Sequence, residues 1–138
     1  MERTAARRTS TEWGADTEEA PPRNRTLGAQ GETIAGEYLE GLGYRILDRN
    51  WRNRYGELDL VVADRSVVVA VEVKTRSGTG YGSPLEAITA RKAARLRRLL
   101  LDWVRAHARS ASGLRVDAIG IILRSGDAPH IDHLRGIS

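Results

Sequence analysis

Four residues near the middle of the chain carry groups able to hold a cation and act on a phosphate: Glu57, Asp59, Glu72 and Lys74. They lie in two runs, Glu57 to Ala63 (ELDLVVA) and Ser66 to Lys74 (SVVVAVEVK), whose β-branched content predicts two strands joined by a tight turn at Asp64-Arg65. A two-residue loop sets Glu57 opposite Glu72 and Asp59 opposite Ala70; a four-residue loop sets Asp59 opposite Glu72 and Glu57 opposite Lys74. Either register puts all four on one face, because opposed residues point the same way and the side-chain period is two. The other face of the second run, Val67, Val69, Val71 and Val73, is committed to a core. Three crowded carboxylates repel one another unless a cation sits among them, and one Lys cannot neutralise three. A hard divalent ion such as Mg²⁺ suits the shortage: it takes one or two carboxylates and leaves positions for water and phosphate oxygens, where it can activate a water for attack on a phosphodiester. The same spacing also describes ordinary ion pairs on a solvated sheet surface.

The elements that position these groups follow from periodicity. Ile34, Ala35, Tyr38, Leu39 and Leu42 recur at helical spacing after Leu27, with Gly41 and Gly43 as a stop, and Tyr44 to Asn50 alternates as a strand. Three strands in succession make an antiparallel meander. Thr75 to Gly82 reads as a Gly-rich loop, and Ser83-Pro84-Leu85-Glu86 as a capping box opening a helical stretch towards Ala108, with Thr89 able to cap a second segment after a break. That stretch carries Arg91, Lys92, Arg95, Arg97, Arg98, Arg105 and Arg109 against one acid, Asp102, a density that matches a phosphate-backbone groove. Leu114 to Leu123 reads as a strand returning parallel to an earlier one, and His130 to Leu134 as an edge strand. Alternation along that edge sends His133 to the face opposite His130 and Asp132, so the three residues form no metal site. Asp117, inside the fourth strand, reads as structural. The expected fold is α/β, a mixed sheet flanked by helices, spanning residues 27–138 behind a disordered tail at 1–26 that mixes charges and lacks apolar periodicity.

Composition narrows the class. The 138 residues suffice for one core, 41% are hydrophobic and 29% charged, and no apolar run is long enough to span a bilayer, so no membrane partner is expected. The absence of Cys excludes disulfide scaffolds, thiolate metal sites and Cys nucleophiles, and a cytoplasmic setting is expected. A net charge of +4 fits an acidic polymer as partner. Of 22 basic residues only Lys74 and Lys92 are Lys; the chain otherwise spells positive charge as Arg, a planar fork rather than a compact, mobile ammonium.

With these residues in view the sequence resembles the YraN family. The resemblance is carried by Gly31-Glu32, Ala35 and Tyr38-Leu39; Gly43-Tyr44, Ile46-Leu47 and Arg49-Asn50; Gly56-Glu57-Leu58-Asp59-Leu60; Val71-Glu72-Val73-Lys74 with Arg76; Gly82, Pro84 and Glu86-Ala87; and Lys92 with Arg95-Leu96. That bacterial family is similar to archaeal Holliday-junction resolvases and belongs to the restriction-endonuclease-like PD-(D/E)xK superfamily. The resemblance implies a nuclease core in which Asp59, Glu72 and Glu32 hold Mg²⁺ or Mn²⁺ and Lys74 orients or activates the attacking water. It implies DNA, branched DNA above all, as substrate and a homodimer as the working unit; with the basic stretch beside the carboxylates, Arg76, Arg91, Lys92, Arg95 and Arg98 are the expected nucleic-acid contacts. Leu58 stands where the superfamily's named Pro would precede the Asp. The reading from another class is a non-catalytic nucleic-acid-binding or adaptor protein that keeps the fold.

Overall fold

A computed structural model describes residues 23–78 and 82–138. The elements run α1 (Arg23–Gly41), β1 (Arg45–Asn53), β2 (Gly56–Asp64), β3 (Val67–Ser77), a 3₁₀ turn (Pro84–Ala87), α2 (Ala90–Ala106), β4 (Gly113–Leu123) and β5 (His130–Leu134). They form one mixed five-stranded sheet in the order β1-β2-β3-β4-β5, antiparallel throughout except for the parallel β3–β4 pair. The parallel pair is the one joined through a helix, as a hairpin cannot connect parallel strands. This is the expected α/β sandwich with a restriction-endonuclease-like arrangement. No helix among the described residues is long and apolar enough to cross a membrane.

Each helix covers one face. Ala35 and Leu39 of α1 pack with Leu60, Val62, Val69, Val71, Val73, Ile119 and Ile121. Leu96, Leu99, Leu100 and Trp103 of α2 pack with Leu58, Val61, Val68, Ala70 and Val116 on the other face. β3 is therefore buried on both sides as far as Glu72, whereas the sequence suggested one apolar side only. Val68 and Ala70, which alternate out of the valine face, are the floor beneath α2.

Several boundaries differ from expectation for local reasons. The β2–β3 turn is Arg65–Ser66 rather than Asp64-Arg65, since Asp64 still pairs with Val67 and Arg65 takes a φ of +59°. Thr75, Arg76 and Ser77 are strand rather than loop, because they continue the β4 ladder opposite Ile121, Ile122 and Leu123. Ser83 accepts from the Leu85 N–H at 3.1 Å and caps a single 3₁₀ turn; Ile88 then goes extended and Thr89 caps α2, its Oγ1 accepting from the Lys92 N–H at 3.1 Å. Leu42, assigned to the apolar stripe of the first helix, lies past its end and is 45% exposed. Of the expected tail, residues 1–22 lie outside the described part and α1 is already formed from Arg23.

Candidate active site

The β2–β3 pair settles which of the two registers applies. Leu60 faces Val71 and Val61 faces Ala70, so the next step of the ladder aligns Asp59 with Glu72. The regular pairing stops there. Instead of the next ladder bond, the Asp59 carboxylate accepts from the Val73 N–H at 2.9 Å. The strand also rolls over at this residue: Leu58 packs in the α2 cluster and Leu60, two positions on, in the α1 cluster. Asp59 is thus held by the backbone of β3 at the point where the two strands part.

Glu72 is 7% exposed, one of only two buried acids among the described residues. Its Oε2 meets two ammonium groups, Lys74 Nζ at 3.4 Å and Lys92 Nζ at 3.3 Å. Lys74 projects from the same strand two residues on, and Lys92 descends from the first turn of α2. A carboxylate taken this far out of water is costly unless paired, and two cations supply the pairing here.

Asp59 has no cation beside it among the described residues. Burial first, then the negative charge of Glu72, push its carboxyl up from 3.8 to about 7; the Val73 N–H opposes the rise, and Glu32 and Glu57 add to it. Four acids therefore share one field, and the most enclosed of those without a cation is the one that cannot easily ionise.

Glu32 reaches the site from α1, with its Oε1 accepting from Asn50 Nδ2 at 3.1 Å. The preceding residue has to be Gly: a Cβ at position 31 would collide with the Thr75 side chain, so Gly31 lets α1 lie directly on β3. Glu57 is turned aside to Arg52 at 3.4 Å. Among the described residues no three carboxylate or imidazole side chains converge tightly enough to ligate one ion together. Asp59 and Glu72 are the converging pair, and Glu32 acts on them through its charge.

Arg91, Arg95 and Arg98 are exposed on α2 at spacings of four and three, which puts them on one stripe of the helix that delivers Lys92. Arg97 points elsewhere, donating to the Leu114 and Ser138 carbonyls at 3.3 and 3.2 Å. Arg76 is the next-to-last residue of the ladder between β3 and β4, paired with Ile122 and half-buried.

A second polar centre lies on the α1 side of the sheet, and the sequence pointed to it through Asp117 and, separately, His133. Asp117 is fully buried and accepts from Arg115 Nε (2.9 Å), Arg115 Nη2 (3.1 Å), His133 Nε2 (2.9 Å) and the Gly136 N–H (3.0 Å). Burial pushes its carboxyl up, but the bonds from His133, Arg115 and Gly136 outweigh that and hold it below the ordinary range. Arg115 also bonds Asp64 and Tyr44, and Tyr38 meets His133 Nδ1 at 3.1 Å. This network ties β4, β5, α1 and the β2–β3 turn together, which makes Asp117 structural as read from the sequence. His130 and Asp132 pair with each other at 3.3 Å, apart from His133.

A family model described as uncharacterised protein family UPF0102 matches residues 31–121, a stretch that contains Glu32, Asp59, Glu72, Lys74 and Lys92. A UPF0102 protein of Rhodococcus opacus (strain B4) is 48% identical over 112 residues, covering 81% of this chain and 95% of that protein. Another from Leifsonia xyli is 50% identical over 111 residues, with 80% and 94% covered, and one from Mycobacterium bovis is 48% identical over 116 residues, with 80% and 91% covered.

Proposed function

The chain belongs to the uncharacterised protein family UPF0102, the YraN family, and for this member we propose a metal-dependent endonuclease that hydrolyses phosphodiester bonds in DNA, with branched DNA as its substrate class and a homodimer as its working form. The observation that carries the reading is the meeting of Asp59 and Glu72 where β2 and β3 part, with Lys74 on the second carboxylate.

The donor set suits Mg²⁺ or Mn²⁺. Two convergent carboxylates are what a hard divalent ion takes from a protein, and the burial and repulsion that drive Asp59 towards 7 are both offset by a cation beside it. Asp59 and Glu72 would hold the ion, with Glu32 reinforcing the negative field. When bound, the ion supplies a Lewis acid and a water of lowered pKa. The remaining work falls to the chain. Lys74 has an ammonium at the rim of the site, with 38% of its side chain exposed, and donates to the attacking water so that it lies in line with the phosphorus. Arg91, Arg95 and Arg98 give a cationic stripe for the flanking phosphates, and Arg76 adds a cation beyond the end of β3's active stretch. The Val73 N–H holds Asp59 so that its carboxylate need not be ordered at the moment of reaction.

The test is incubation of purified protein with labelled linear, forked, flapped and four-way DNAs in Mg²⁺, Mn²⁺ and EDTA. Cutting of branched forms in either metal and none in EDTA is expected. Binding of all forms with no cutting in any metal would replace the enzyme with a DNA-binding module.

A further inference from the structure

The chain contains two lysines among 22 basic residues, and both end on the same atom, Glu72 Oε2, from different elements. A solvated basic helix gives no reason for this convergence, since Arg91, Arg95 and Arg98 serve that role on the same helix. Nor does Glu72 need two partners for burial alone, because one close ammonium neutralises one carboxylate.

We propose that Lys92 is a metal-displaced phosphate hook: it holds Glu72 Oε2 while the site lacks a divalent ion, and once an ion occupies that carboxylate it passes to a non-bridging oxygen of the DNA phosphate. The inference rests on the metal-site reading above. Its physical basis is competition for one atom. A divalent ion on Glu72 Oε2 would sit within a few ångströms of two ammonium groups, and repulsion at that range in a half-buried site is large. One ammonium must leave. Lys74 is bound to β3 two residues from Glu72 and stays at the rim. Lys92 is anchored at its backbone, where Thr89 Oγ1 accepts its N–H, but its four-carbon stem is free to swing and 37% of its side chain is exposed. The guanidinium of Arg is a wide planar fork and fits poorly as a point contact shared first with a carboxylate oxygen and then with a phosphate oxygen; Lys does both.

Metal and DNA are then coupled through Lys92. Without DNA it competes with the ion, and with both present it is released to help bind. Mn²⁺ titration of the folded full-length protein, without DNA, separates this from a plain DNA contact. Lys92→Met is expected to bind Mn²⁺ about tenfold more tightly than wild type or more, and Lys92→Gln likewise, while Arg98→Met, which removes the same charge from the same helix, leaves Mn²⁺ affinity unchanged. Anisotropy with a labelled four-way junction in Ca²⁺ or EDTA supplies the second readout: the ion tightens DNA binding by wild type and fails to do so for Lys92→Met. Equal Mn²⁺ affinity in wild type and both Lys92 variants, with wild type binding the ion, would overturn the role of Lys92 and leave the metal site standing. A wild type that takes up no Mn²⁺ would remove the metal site and this inference together.

Discussion

Asp59→Asn should make the protein more stable, and the gain should depend on pH in a defined way. The folded structure holds the Asp59 carboxyl at about 7 against an ordinary 3.8, chiefly through burial and the neighbouring Glu72. At about 1.4 kcal/mol per unit, a rise of roughly three units corresponds to about 4 kcal/mol that folding loses by carrying an ionised Asp59. Below pH 4 the carboxyl is protonated in both the folded and unfolded chain and nothing is lost. Between pH 4 and 7 the unfolded chain ionises while the folded one retains its proton, so the cost grows; above 7 it is complete. Asn keeps an oxygen to accept the Val73 N–H and brings no charge. Urea unfolding followed by far-ultraviolet circular dichroism at pH 4, 6 and 8 should therefore show the variant and wild type nearly equal at pH 4. At pH 8 the variant should lead by on the order of 2–4 kcal/mol. Saturating Mg²⁺ should narrow the gap by stabilising wild type alone. An Asn variant equal to or weaker than wild type at pH 8 would refute the claim that this carboxylate is held under strain.

Other consequences follow from the same contacts. Asp117→Ala strips the shared acceptor from Arg115, His133 and Gly136 and should cost about 3–5 kcal/mol in urea unfolding at pH 7. Because the folded structure depresses the Asp117 carboxyl, its contribution is present above its unfolded pKa and is lost as pH falls through the folded value, so acid unfolding of wild type should steepen below pH 4 and that of an Asp117→Asn variant should not. Gly31→Ala should destabilise by about 1–3 kcal/mol through its collision with the Thr75 side chain, Cβ included, and adding Thr75→Gly, which removes every clashing atom, should recover part of the loss; losses that simply add in the double variant would show that the close approach of α1 to β3 is not the cause. Leu99→Ala, at a fully buried leucine on the core face of α2, should cost about 2–5 kcal/mol by the same assay.

Order and type of elements were readable because the apolar periods are strong. ELDLVVA and SVVVAVEVK could only be strands, and Ala35, Leu39 and Leu96 to Trp103 could only be buried helix faces. The break before α2 was legible in Thr89 for the same kind of reason, a capping side chain at a fixed offset. Register was not. Two loop lengths gave two alignments of the same acids, and the outcome depended on Arg65 entering the left-handed region, which no apolar pattern encodes. The sequence brought Asp59, Glu72 and Lys74 to one neighbourhood but treated them as a flat cluster; it missed that Asp59 bonds the backbone of β3 where the strands separate and that β2 rolls over there. Lys92 was legible as rare and basic, and read as a phosphate contact; that its side chain ends on Glu72 is a long-range fact set by the packing of α2 on β3. The Arg115–Asp117–His133 centre joins three strands and a helix, and although Asp117 and His133 each stood out in the sequence, nothing in it joined them to each other or to Arg115.

The central claim is that Asp59, Glu72 and Lys74 make one phosphodiester-cleaving site. The measurement that reaches it most directly is single-turnover cleavage of a labelled four-way junction in Mn²⁺, comparing wild type with Glu72→Gln and Lys74→Met, each first shown to be folded by circular dichroism. The account predicts cutting by wild type that falls at least a hundredfold in both variants and stops in EDTA. Cutting that persists undiminished in either variant, or its absence in wild type on every DNA form, would contradict it.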